Sequence, residues 1–116
     1  MPSNTVSIHP YFEVKEGKLD AFLELGQKLV DKCLPEPKCQ YYAFSVNGNT
    51  VYCREAYDGA AGVLEHLANA GDMIGAAFEI AELTRIEIHG PAAELDQLKE
   101  ALTDLNPTYF TLEVGD

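Results

Sequence analysis

Residues 39–70 read CQYYAFSVNGNTVYCREAYDGAAGVLEHLANA. Two runs rich in β-branched and aromatic residues, 39–46 and 50–57, flank Asn47-Gly48-Asn49. Asn-Gly between β-prone runs is a strong hairpin signal, because both residues tolerate positive φ. From about Ala60 to Ala70 the period changes. Ala60, Val63, Leu64, Leu67 and Ala68 now recur at three- and four-residue steps, which is the stripe of an amphipathic helix. His66 lies beside that stripe. The stretch therefore encodes strand, turn, strand, helix.

Working outward, residues 5–14 alternate. Val6, Ile8, Phe12 and Val14 share one face, and Ser7, His9, Tyr11 and Glu13 the other, so this is a strand. Pro10 lacks a ladder donor, which predicts an exposed edge or a bulge. A helix follows Gly17 and runs to about Cys33, with Leu19, Phe22, Leu23, Gly26, Leu29, Val30 and Cys33 on its apolar side. Leu34-Pro35-Glu36-Pro37-Lys38 then stops it. Beyond Ala70, Asn69-Ala70-Gly71 reads as a break, and 72–81 as another short helix. Residues 82–90 form a fourth strand. Pro91 opens a third helix, with Leu95, Leu98 and Leu102 facing inward. Residues 107–114 form a fifth strand.

The order is βαββαβ with an added helix and strand. This predicts an α+β, ferredoxin-like fold, an antiparallel sheet and helices on one face, in a single domain over 1–116. The other sheet face is aromatic, and a second copy of the chain is the natural cover.

Lys plus Arg number 8 against 19 Asp plus Glu, a formal charge of −11. Such a surface repels phosphate backbones and anionic lipid, which argues against nucleic-acid and membrane partners. No apolar run nears the roughly 18 residues that span a bilayer. The start lacks a basic region followed by an apolar one, so no secretory signal is read. Cys33, Cys39 and Cys53 have no paired spacing, which suggests a reducing, cytoplasmic setting and no zinc pattern.

The order, together with Arg54-Glu55-Ala56-Tyr57 and the helix bearing His66, resembles the antibiotic biosynthesis monooxygenase family of dimeric α+β barrels. The likeness covers roughly residues 5–90. Many members carry a strand ending Glu-x-aromatic, a short turn, and a helix with His about nine residues beyond the aromatic. Here those positions are Glu55, Tyr57 and His66. The resemblance implies a homodimer built through the open sheet face. It also implies a monooxygenase that oxidises a small phenolic, quinol or related aromatic molecule with molecular oxygen, using no metal, flavin or other cofactor. A phenolate or enolate can pass an electron to oxygen directly, so such a protein need only bind, deprotonate and exclude water. Two departures stand out. Polyketide-oxidising relatives place Asn and Trp where this chain has Cys53 and Tyr57, and it has no Trp at all. Haem-degrading relatives place a ligating histidine near Ala76, where this chain has none.

Alternation puts Val51, Cys53, Glu55 and Tyr57 on one strand face, and Tyr52 and Arg54 on the other. In the resembled fold the first face looks toward the helices. His66 is then a candidate base, against a plainly structural histidine. Glu55 is a second candidate base, against a carboxylate that pairs with a cation or caps a donor. Tyr57 is a hydrogen-bonding wall or simple core. Cys53, Val51, Tyr42 and Phe44 are candidate substrate contacts, and Met73 and Phe78 are candidate lid residues, against simple core filling. His9 and His89 read as solvated polar residues. The competing reading is a non-catalytic dimeric module, ligand-binding or structural, on the same fold.

Overall fold

The computed structural model describes residues 3–115. The strands are β1 (Thr5–Val14), β2 (Cys39–Asn47), β3 (Thr50–Asp58), β4 (Ala81–Gly90) and β5 (Thr108–Thr111). The helices are α1 (Leu19–Cys33), α2 (Gly59–Ile80) and the short α3 (Ala92–Asp96), followed by a 3-10 turn at Thr103–Leu105. The sheet order is β2-β3-β1-β4-β5. The α+β, ferredoxin-like βαββαβ core is present.

The sheet is mixed rather than wholly antiparallel. β1 pairs antiparallel with β3 and β4, and β2 with β3, but β5 runs parallel to β4. Parallel neighbours need a long crossover, and residues 91–107 supply it. The fifth strand is also shorter than the 107–114 expected, because pairing with β4 ends at Thr111.

β1 lies in the middle of the sheet. Val6, Ile8, Pro10, Phe12 and Val14 all turn inward. Of the two options for Pro10, the edge is ruled out. The register with β4 shifts between Tyr11 and Phe12, a bulge directly after the proline. The β2–β3 hairpin closes over Gly48 and Asn49, one residue later than Asn47-Gly48 would place it. Only Gly48 has positive φ, at 63°, so a glycine holds the first central position, the pattern of a type II′ turn.

α2 is one helix of 22 residues, not two. Gly71 costs a helix roughly 1 kcal/mol relative to alanine but does not break it. Ala70 and Ala77, seven residues apart, are both buried, so a single packed stripe crosses the expected break. α3 ends at Asp96, sooner than expected, yet Leu95, Leu98 and Leu102 all reach the core through the turns that follow. The segment is anchored where the Glu94 carboxylate accepts the Ala60 N–H at 2.9 Å, at the start of α2. Gly59 makes this possible. Its φ is 71°, and an added Cβ would lie 2.5 Å from Glu94 Oε1.

Among the described residues, no helix is long and apolar enough to cross a membrane.

Candidate functional site

The inner face of the sheet and the helices enclose a small apolar cavity of about 70 Å³, open to solvent on one side. Ile8, Phe12, Leu83, Ile86 and Ile88 form its floor. Leu29 of α1 and Leu67, Ile74, Ala77 and Phe78 of α2 form the roof, and Leu102 and Leu105 close one end. Its polar wall is made by Glu55 and His66, with Tyr42 and Cys53 beside them.

β3 delivers this wall by alternation. Val51, Cys53, Glu55 and Tyr57 all point inward and are buried. The Tyr57 hydroxyl donates to Glu55 Oε1 at 2.6 Å. α2 delivers His66, which is 1% exposed, with its ring centroid 4.9 Å from that of Tyr57 and 5.4 Å from that of Tyr42. His66 Nε2 lies 3.5 Å from Glu55 Oε1. On the opposite side of the ring, Nδ1 is 3.1 Å from Glu36 Oε2. One imidazole thus sits between two carboxylates.

Glu36 was not among the sequence candidates. It lies in the α1–β2 connection, thirty residues from His66 in the chain. Its only local signal is a charged residue between two prolines, Pro35 and Pro37.

Burial raises the Glu55 carboxyl above the ordinary carboxylate value, because its charged form loses water there. Glu36 adds to the rise. The neighbouring His66 and the hydrogen bonds from Tyr57 and Cys53 oppose it, without reversing it. Burial likewise pushes up the hydroxyls of Tyr42 and Tyr57 and the Cys53 thiol, each helped by the Glu55 charge. These three groups rest neutral and are not nucleophilic anions.

The other candidates divide. Tyr42, Phe44, Cys53 and Phe78 line the cavity. Val51 instead packs with Phe12, Val14 and Phe22, and Met73 packs against the Leu29, Cys33 and Tyr42 cluster. His9 and His89 are not simply solvated. His9 Nδ1 is 2.6 Å from the Tyr52 hydroxyl, its Nε2 is 2.8 Å from Ser7 Oγ, and its ring lies 4.6 Å from that of His89. His89 stacks on Phe110.

One group of side chains has metal-ligand character. Donor atoms of Cys33, Glu36 and His66 lie within 4.8 Å of one another. Burial and the Glu36 charge push the Cys33 thiol up to about 12, so ligation would first have to displace a tightly held proton.

No protein-family model matches the chain, and no curated protein matches it. Solved structures do. MupZ from Pseudomonas fluorescens is 40% identical, covers 100% of this chain and 91% of its own, and superposes with a TM-score of 0.95. A candidate antibiotic biosynthesis monooxygenase from Nitrosomonas europaea is 16% identical over 79% of this chain and 94% of its own, with a TM-score of 0.70. An oxidoreductase candidate from Bacteroides thetaiotaomicron VPI-5482 is 20% identical over 75% of this chain and 97% of its own, with a TM-score of 0.67. The chain belongs to one family with MupZ, and it is antibiotic-biosynthesis-monooxygenase-like in fold.

Proposed function

We propose that the chain is an acid–base enzyme acting on a small, largely apolar substrate, with His66 as base and Glu55 as the paired acid. The observation that carries this reading is the contact of a histidine with a buried carboxyl on the polar wall of an otherwise apolar cavity. A carboxyl whose proton is held more tightly by burial, set beside an imidazole, offers an acid next to a base. Tyr57 holds the Glu55 carboxyl in place by its 2.6 Å hydrogen bond. Phe44 and Phe78 supply aromatic walls for a flat substrate.

The redox form of this reading is a monooxygenase that needs no metal or flavin and uses molecular oxygen on a phenol, quinol or related aromatic. His66 takes the proton, and the substrate anion passes an electron to oxygen. At an activated CH₂ carbon one oxygen atom becomes a carbonyl, and the other leaves as water with the two displaced hydrogens. The fold neighbours favour this form. The buried carboxyl, its proton held more tightly than usual, beside the base favours proton transfer of any kind, with or without oxygen.

Two assays test the reading. Ring opening of nitrobenzisoxazole reports a base in an apolar site, since loss of one C–H proton breaks the N–O bond and releases a coloured phenolate. Oxygen uptake with hydroquinones and anthrones reports the redox form. Elimination without uptake leaves an acid–base enzyme that is not a monooxygenase. Neither activity above background would return the chain to the non-catalytic module.

A further inference from the structure

We infer that Glu36 is the positioning carboxylate of this site. It holds His66 as the Nδ1–H tautomer, so the lone pair lies on Nε2, the nitrogen that faces Glu55 and the cavity wall. This rests on the reading of His66 as the base.

The geometry gives the tautomer. An ionised carboxylate can only accept hydrogen bonds, so at 3.1 Å from Glu36 Oε2 the His66 Nδ1 must carry the proton. In a neutral ring Nε2 is then the acceptor. Asn69, one turn beyond His66 on α2, donates its side-chain amide to the same Oε2 at 2.8 Å. α2 therefore presents two donors to one oxygen.

The backbone of Glu36 is held as firmly as its side chain. Its N–H donates to Cys33 O at 3.0 Å, and its carbonyl accepts from Cys39 N–H at 3.1 Å. Pro35 and Pro37 fix φ on either side, and a following proline keeps Glu36 itself out of the helical region. Two prolines stop a helix with one to spare. Here they also lock the residue that reaches His66.

Its energetics point the same way. The Glu36 side chain is 9% exposed, its Oε1 is buried, and beside His66 and Asn69 the carboxylate has the Cys33 thiol for company, a weak donor. A buried, half-satisfied carboxylate opposes folding. Such an arrangement persists where function requires it. In the proposed reaction the substrate's proton goes to Nε2 and its electron pair stays on the substrate. The Nδ1 proton stays with the ring. The imidazolium so formed lies against the Glu36 carboxylate, 3.1 Å from Nδ1, which stabilises its charge.

The test is ¹⁵N NMR of the His66 ring in the full chain, together with nitrobenzisoxazole elimination. Wild type should show a protonated Nδ1 and a bare Nε2. Glu36→Leu, which fills the same space without an acceptor, should populate the Nε2–H form and lower kcat by roughly 10- to 100-fold with little change in KM. Glu36→Gln keeps an acceptor and should retain the wild-type tautomer. A wild-type ring protonated at Nε2, or an unchanged tautomer in Glu36→Leu, overturns the assignment. The wild-type spectrum alone decides if the leucine variant does not fold. The expected tautomer in a protein without elimination activity would support Glu36 as the positioning residue while removing the base reading on which its catalytic use depends.

Discussion

Glu55 carries the first prediction. Its folded carboxyl binds a proton more tightly than the unfolded one, whose reference is 4.5. As pH rises past that value, the unfolded chain gives up its proton first, so Glu55 subtracts stability with increasing pH. Glu55→Gln should therefore gain on wild type as pH climbs from about 4 to about 8. Denaturant melts of both proteins across that range would show it, and parallel curves would contradict it. His66→Ala is the wrong variant for testing catalysis alone. His66 is 1% exposed and lies between two carboxylates, so truncation leaves a cavity and two uncompensated groups. We expect a loss of about 3 kcal/mol or more in urea unfolding. His66→Gln keeps the volume and is the better probe of activity. Much of this site is legible in the sequence. Period-two alternation aligns Glu55 with Tyr57, and the helix phase brings His66 to their side. Glu36 is not legible. Its contact joins a turn to a helix thirty residues away, and no periodicity encodes such a meeting.

At the scale of elements, α2 shows where local signals mislead. Gly71 reads as a break because glycine is a poor helix former, but tertiary burial on both sides outweighs that. Gly71 and Gly75 are exposed, and nothing lies within 4 Å of a Cβ added to either. Alanine at each should raise stability by roughly 0.5–1 kcal/mol, mainly by restricting the unfolded chain. Gly62 is the contrast on the same helix. A Cβ there would lie 2.9 Å from Tyr57 Cβ and 3.0 Å from Lys38 Cβ. Gly62→Ala should cost roughly 1–3 kcal/mol and displace the strand end that carries Tyr57. Thermal melts of the three single variants check both signs at once. The direction of β5 was equally hidden. Its residues show a strand, but parallel pairing depends on how residues 91–107 cross back, and that path follows from the burial of Leu95, Leu98 and Leu102 rather than from strand pattern.

For the whole molecule, the element order in the sequence sufficed for the α+β core, because each change of period coincides with a change of element. The outer sheet face bears on assembly. Tyr11 and Tyr52 pair at 5.0 Å, Arg54 lies 4.0 Å above the Tyr41 ring, and Phe110 is 42% exposed. We expect two copies to bury these faces together. Light scattering at micromolar concentration should then give twice the 12.7 kDa chain mass. Tyr52→Glu should shift that mass toward the monomer, while a monomeric wild type would refute the pairing. The βαββαβ unit is complete at Gly90, and everything after it is appended, yet Leu102 and Leu105 from the appended part close one end of the cavity. The cavity is therefore built from two parts of the chain. Glu55 and His66 belong to the βαββαβ unit, whereas one wall of the chamber belongs to the segment held on by Glu94. Substitutions at Leu102 and Leu105 would therefore reshape the chamber without touching Glu55 or His66.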